Sequence, residues 1–175
     1  MTDDAKTVPK ARIISAFIAA FEAEVAALSA SAKAAHEAAT HEESKAEDAH
    51  DTRGLEASYL AGAQNARIAE LKAVILEYKT LHADAIRPSP AVAAGAVVTV
   101  QPLVDADSEK PRGPALHALV AVRGGGTTVE VDGLTYAIFT PTSPIGEAIL
   151  GGTAGEVVEI ESKGGSRAYR IESVA

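Results

Sequence analysis

The sequence predicts an α+β chain: an N-terminal antiparallel coiled-coil hairpin of two long helices, then an antiparallel β-sheet domain with one short helix. Three observations predict it. Apolar residues recur at alternating spacings of four and three through two long segments before residue 88. Between residues 10 and 87 there is no proline, and the glycines are Gly54 and Gly62. Beyond Pro88 and Pro90 the chain turns to short valine-rich runs parted by glycine and proline. The domain boundary is therefore placed at residue 88, with a hairpin over 1–88 and a second domain over 89–175.

The first helix carries a seam of Ile14, Ile18, Phe21, Val25, Leu28, Ala32, Ala35 and Ala39. The second carries Ala57, Ala61, Gln64, Ile68, Leu71, Ile75, Tyr78 and His82. Two heptad segments joined by a short polar turn make an antiparallel helical hairpin. In that pairing Ile14 to Leu28 face Ile68 to His82, and Ala32 to Ala39 face Ala57 and Ala61. Alanine seams let backbones approach closely, so the hairpin is expected to thin toward its turn. A helix over residues 12–43 is about 48 Å long at 1.5 Å per residue.

The turn region reads HEESKAEDAHDTRGLEASYL over residues 41–60, and its acidic part spans about 42–53. Five of its first eleven residues are carboxylates: Glu42, Glu43, Glu47, Asp48 and Asp51. Helix packing alone asks for no such concentration of charge. Asp51 or Thr52 also suits the N-cap of the second helix, since either oxygen can accept the free N–H groups of the first turn.

The second half holds five candidate strand segments: AVVTVQPLV, ALVAV, TVEVDGLTYAIFT, EVVEIES and RAYRIESV. Within the third, Asp132-Gly133 is the turn pair of a predicted hairpin. The segment SPIGEAILG is predicted as the short helix. Ser143 serves as N-cap, Pro144 stands at the first helical position, and Gly151 ends it. Ile145, Ala148 and Ile149 share one side.

A length of 175 residues allows one ordinary domain or two small ones, and the net charge is −8. That charge argues against a protein that coats nucleic acid or lies on a membrane surface, because both need a basic face. With no cysteine in the chain, disulfides and thiolate metal sites are excluded. No run approaches eighteen uninterrupted apolar residues, so no membrane span is expected. MTDDAKTVPK lacks the apolar centre of a signal sequence. A cytosolic location is the expectation.

The run TSPIGEAILGGTAGEVVEIESKGGSRAYRIESV, from Thr142 to Val174, resembles the C-terminal domain of the bacterial GreA/GreB transcript cleavage factors, with the family pattern over Ser143 to Val174. LEASYLAGAQNARIAELKAVI is similar to the second helix of that family's coiled coil. The resemblance covers roughly residues 10–87 and 95–175. DADSEKPRGPALHALVAVRGGGTT departs from the family pattern. The resemblance implies an FKBP-like second domain that docks on bacterial RNA polymerase. It further implies a coiled coil running down the secondary channel, and tip carboxylates that reach the active centre and help cut the 3′ end of backtracked nascent RNA. The chain would then be an accessory factor and no enzyme by itself.

The family tip carries an aspartate and a glutamate three residues apart, and Asp48 and Asp51 keep that spacing. Other registers bring forward Glu47, with Glu43 or Glu42 as its partner. The implied catalytic set is Asp48, Asp51 and Glu47. The implied Mg²⁺ contacts are Asp48, Asp51, Glu47 and Glu43, with the ion shared with the polymerase and held only in that complex. The hard Mg²⁺ ion prefers one or two carboxylates and keeps several waters. Two-metal cleavage of a phosphodiester needs a second Mg²⁺ and an activated water. A related reading is a channel-binding regulator of the same shape that inhibits, or competes with other factors, without stimulating cleavage.

Several other features read as ordinary structure. Lys45 and Arg53 balance local charge or contact RNA or polymerase. His36, His41, His50, His82 and His117 show no zinc spacing and are expected at the surface. VRGGGTT lacks the lysine of a phosphate-binding loop and is expected as a turn. A prolyl isomerase needs an aromatic-lined pocket, and the second half offers only Tyr136, Phe139 and Tyr169.

Overall fold

The computed structural model describes residues 8–40, 53–84, 90–108, 110–162 and 165–175. Its elements run α1 (Lys10–Thr40), α2 (Arg53–Asp84), β1 (Val97–Pro102), β2 (Leu116–Val120), β3 (Thr128–Val131), β4 (Leu134–Phe139), α3 (Pro144–Ile149), β5 (Val157–Ser162) and β6 (Gly165–Val174). By compactness the chain forms two units. One is Ile18–Glu77, and the other joins Met1–Phe17 to Tyr78–Ala175.

In the helical unit the seam read from the sequence is the covered face. Phe21 and Leu71 are each 1% exposed, and Val74 and Ile75 are buried. Ile18, Val25, Leu28, Ala32, Ala61, Gln64 and Ile68 are half-buried, while the positions between them are mostly exposed. Two polar contacts fix the antiparallel register. Arg67 reaches Glu24 through Nε at 3.2 Å and Nη2 at 3.0 Å, and Gln64 Nε2 lies 3.4 Å from Ser31 Oγ. Their residue numbers sum to 91 and 95, close to the 96 implied by setting Ile14 against His82. Ala35 departs from the expectation and is exposed. A lone methyl covers too little surface to exclude water at that point.

Residues Lys10–Ala35 of α1 are long and apolar enough, by length and composition alone, to cross a bilayer, with mean hydropathy 1.7. Alanine dominates that value. Glu22 and Glu24 interrupt the segment, and its large side chain Phe21 is buried.

The other unit is built on one six-stranded sheet of order β3-β4-β2-β1-β6-β5. Four of its pairings are antiparallel, and β2 with β4 is parallel, so the sheet is mixed where a wholly antiparallel one was expected. The physical reason lies in residues 121–127. This glycine-rich connection carries the chain past the neighbouring position, so β3 forms the edge. The hairpin then returns β4 into the gap, running in the same direction as β2. Asp132 (φ 53°) and Gly133 (φ 81°) turn that hairpin with two positive φ angles, as the Asp-Gly pair predicts.

Val98, Val100, Ala118, Val120 and Ile171 cover one sheet face and pack with Val92, Ala96 and Ile149 of α3. Burying each such valine or isoleucine contributes about 1.5–3 kcal/mol. Ser143 caps α3 as expected. Its Oγ accepts the Gly146 N–H at 3.2 Å and donates to the Thr140 carbonyl at 2.7 Å. Gly151, at φ 80°, follows the helix end.

The helix ends that belong to this unit are anchored. Ile13, Ile14, Phe17 and Tyr78 have no exposed surface, and the Phe17 and Tyr78 rings meet edge to face at 6.2 Å. The Tyr78 hydroxyl donates to the Arg123 carbonyl at 2.9 Å. Arg12 grips Asp132 with both Nη atoms, at 2.7 and 2.9 Å. That grip holds the first turn of α1 to the β3–β4 turn.

Candidate functional site

The acids singled out in the sequence all lie between the two long helices. α1 ends at Thr40 and α2 begins at Arg53. Glu42, Glu43, Glu47, Asp48 and Asp51 fall in residues 41–52, outside the described residues, as do Lys45, His41 and His50. Thr52, the other cap candidate, lies outside them too. The structure therefore supplies the frame that carries these carboxylates. From Ile18 to Thr40, α1 continues for about 33 Å at 1.5 Å per residue. Its partner α2 runs back antiparallel, and residues 41–52 lie between them in the chain.

The helices are long because nothing interrupts them. Alanine has the best helix propensity, and Gly62, the glycine of α2 with described surroundings, faces open space. They stay paired because the large apolar residues recur on one side. The outer faces carry charge, and Arg67 joins two carboxylates there. It bonds Glu70 at 2.9 Å as well as Glu24. Hydrogen bonds to Glu70 first, and then to Glu24, raise its pKa further above its ordinary value.

Sequence reasoning missed two exposed apolar side chains near the start of α2. Tyr59 is 72% exposed and Leu60 57%. Both lie off the predicted seam, and that was the available signal: a large apolar residue at a solvent-facing heptad position.

The sheet unit holds a different polar cluster. Thr99, His117, Tyr136 and Val129 occupy one register row across β1, β2, β4 and β3. Thr99 Oγ1 and His117 Nδ1 share a 3.0 Å hydrogen bond, and the His117 and Tyr136 rings lie 5.5 Å apart. Burial lowers the His117 pKa from 6.5. The Tyr136 hydroxyl is shifted upward, by burial first and by the Asp132 carboxylate second. His117 is thus half-buried where surface exposure was expected, because its strand position faces Tyr136. His82 is exposed as expected.

The two aromatic residues of β4 do not converge. Tyr136 and Phe139 stand three apart on one strand and so face opposite sides, and Phe139 packs into the core beside Val98 and Ile171. No aromatic-lined isomerase pocket forms from them. RGGGTT turns as expected, with Gly124 at φ 90°, Gly126 at φ 88° and the Thr127 N–H bonded to the Gly124 carbonyl at 3.2 Å. Among the described residues no group of three His, Asp or Glu side chains could hold a metal ion.

Neither a protein-family model nor a curated protein sequence matches the chain. Solved structures do, at low identity. The chain is similar to the transcription factor Gfh1, with 16% identity over 91% of this chain and 93% of that one and a TM-score of 0.36. It is similar to Gfh1 of Thermus aquaticus, with 18% identity over 91% and 94% and a TM-score of 0.34. The prokaryotic transcription elongation factor GreA/GreB from Nitrosomonas europaea shows 20% identity over 61% of this chain and 91% of that one, with a TM-score of 0.33.

Proposed function

We propose that this protein is an accessory elongation factor of bacterial RNA polymerase that places its helical hairpin in the secondary channel and stimulates cleavage of backtracked RNA. One observation carries the reading. Between the two helices of a pair whose seam passes from Phe21, Leu71 and Ile75 to Ala32 and Ala61, the sequence of residues 41–52 holds five carboxylates. A sheet unit follows, in the chain order that the resemblance to the cleavage factors describes.

The chemistry of the donor set fits a shared Mg²⁺. Carboxylate oxygens suit this hard ion, and the chain offers no thiolate to compete. When bound at the polymerase centre, Mg²⁺ polarises the phosphoryl oxygen and lowers the pKa of bound water. Asp48 and Asp51, or Glu47 with Glu43 in the alternative register, would supply oxygens and orient that water. In this reading the pairing of α1 with α2 would carry them. The RNA is cut by the polymerase, and this chain contributes ligands and position.

A stalled, backtracked elongation complex tests the proposal. Adding the protein should shorten the RNA from its 3′ end faster than the polymerase does alone. Absence of stimulation, together with slower nucleotide addition, would replace this reading with that of a channel-binding inhibitor of the same shape.

A further inference from the structure

The connection between β1 and β2 forms a wall of its own. Leu103 pairs with Pro111 across it, and the Leu103 N–H bonds the Ala168 carbonyl at 2.9 Å. The Arg112 N–H reaches the Pro102 carbonyl at 2.8 Å, and the Val104 N–H reaches the Lys110 carbonyl at 3.1 Å. Gln101 Nε2 clamps the two sides together, donating to the Pro102 carbonyl at 3.0 Å and the Gly113 carbonyl at 2.8 Å. Between this wall and the start of β6 lies a groove of about 300 Å³. Pro102, Pro114, Leu116 and Tyr169 supply its apolar surface, and Arg112 and Arg167 its charge.

The two arginines differ from Arg12, Arg67 and Arg170 among the described residues. The protein carries 24 acidic residues against 16 basic ones. Elsewhere Arg12, Arg67 and Arg170 each bond a carboxylate. Arg112 and Arg167 have no ion-pair partner among the described residues, and both line this one groove. Leu116 beside them is 37% exposed. A groove with walls fixed by backbone hydrogen bonds loses little entropy on binding. Guanidinium groups without partners favour carboxylates, which they can bind through two parallel hydrogen bonds.

We infer that this groove binds an extended acidic peptide segment of a partner protein, with its carboxylates on Arg112 and Arg167 and an aliphatic side chain against Leu116, Pro114 and Tyr169. The apolar lining favours a peptide over a nucleic acid, whose backbone would leave Leu116 and Pro102 uncovered. The inference stands apart from the polymerase proposal and needs no polymerase to be tested.

The test uses the full chain and a fluorescein-labelled peptide alternating aspartate and leucine. Fluorescence polarisation should show saturable binding, weakened about tenfold or more in Arg112→Glu plus Arg167→Glu. A peptide alternating lysine and leucine should not bind. Far-UV circular dichroism and the melting temperature of the double variant should match wild type, since neither guanidinium bonds a carboxylate among the described residues. The inference is overturned by absence of saturable binding, by equal binding of the lysine peptide, or by a double variant that binds as wild type does. It is also overturned if a single-stranded RNA oligonucleotide binds in place of the peptide. Sedimentation showing self-association that the double variant abolishes would make the occupant a second copy of this chain, and would equally overturn it.

Discussion

Gly146→Ala puts one methyl group where the structure has no room. A Cβ built on Gly146 would stand 2.0 Å from the Thr140 carbonyl oxygen, 2.7 Å from its carbon and 2.9 Å from Ser143 Oγ. Two of these are backbone atoms, which no rotamer change can clear. The turn from Thr140 to Ser143 must move, and that movement breaks the Ser143 cap on α3. Loss of a cap costs about 1 kcal/mol. Overpacking of this kind costs about 1–3 kcal/mol more. A total of about 3 kcal/mol lowers the melting temperature by roughly 12–24 °C in a unit of roughly 100 residues. Differential scanning calorimetry of the full chain reads this directly. Gly62→Ala is the matched control, since nothing lies within 4 Å of its added methyl. In a helix interior it should raise stability by about 0.5–1 kcal/mol. A Gly146→Ala protein that melts with wild type would refute the packing argument for the turn that holds α3.

Three further outcomes follow from the same contacts. Tyr78→Phe removes the 2.9 Å bond to the Arg123 carbonyl while keeping the ring against Phe17, and urea titration should show a loss of about 1 kcal/mol. Burial lowers the folded-state pKa of His117 from 6.5, so the unfolded chain takes up a proton there first. Its contribution to stability is therefore constant above about pH 6.5 and falls as the pH drops from there to the folded-state value. His117→Gln should flatten that part of a stability–pH curve measured by urea unfolding. Arg12→Ala removes an exposed pair with Asp132 and should cost under about 1 kcal/mol, with the cost shrinking as salt rises.

Much of the fold was legible because its signals are local. The seam residues Phe21, Leu71 and Ile75 could be named in advance because heptad spacing alone decides which helix face is covered. The Asp132-Gly133 hairpin and the Ser143-Pro144 helix start were legible because each depends on the chemistry of two adjacent residues. The parallel pairing of β2 with β4 was not legible, because it depends on how far residues 121–127 carry the chain before β3 forms. His117 was misplaced for a similar reason. Its burial comes from Tyr136 on another strand, and no spacing within β2 announces that neighbour. The carboxylates named from the sequence lie outside the described residues, and α1 and α2 are the helices on either side of them in the chain. The Arg112–Arg167 groove went unread because its two sides are brought together only by strand pairing between β1 and β6.

The most direct measurement is the magnesium dependence of RNA cleavage in a backtracked complex, with the wild-type protein and with Asp48→Asn plus Asp51→Asn. The account predicts that wild type lowers the Mg²⁺ concentration giving half-maximal cleavage. The double variant, with binding to polymerase retained, should leave that concentration where the polymerase alone has it. A double variant that shifts the magnesium curve as far as wild type does would contradict the claim that these carboxylates serve the ion.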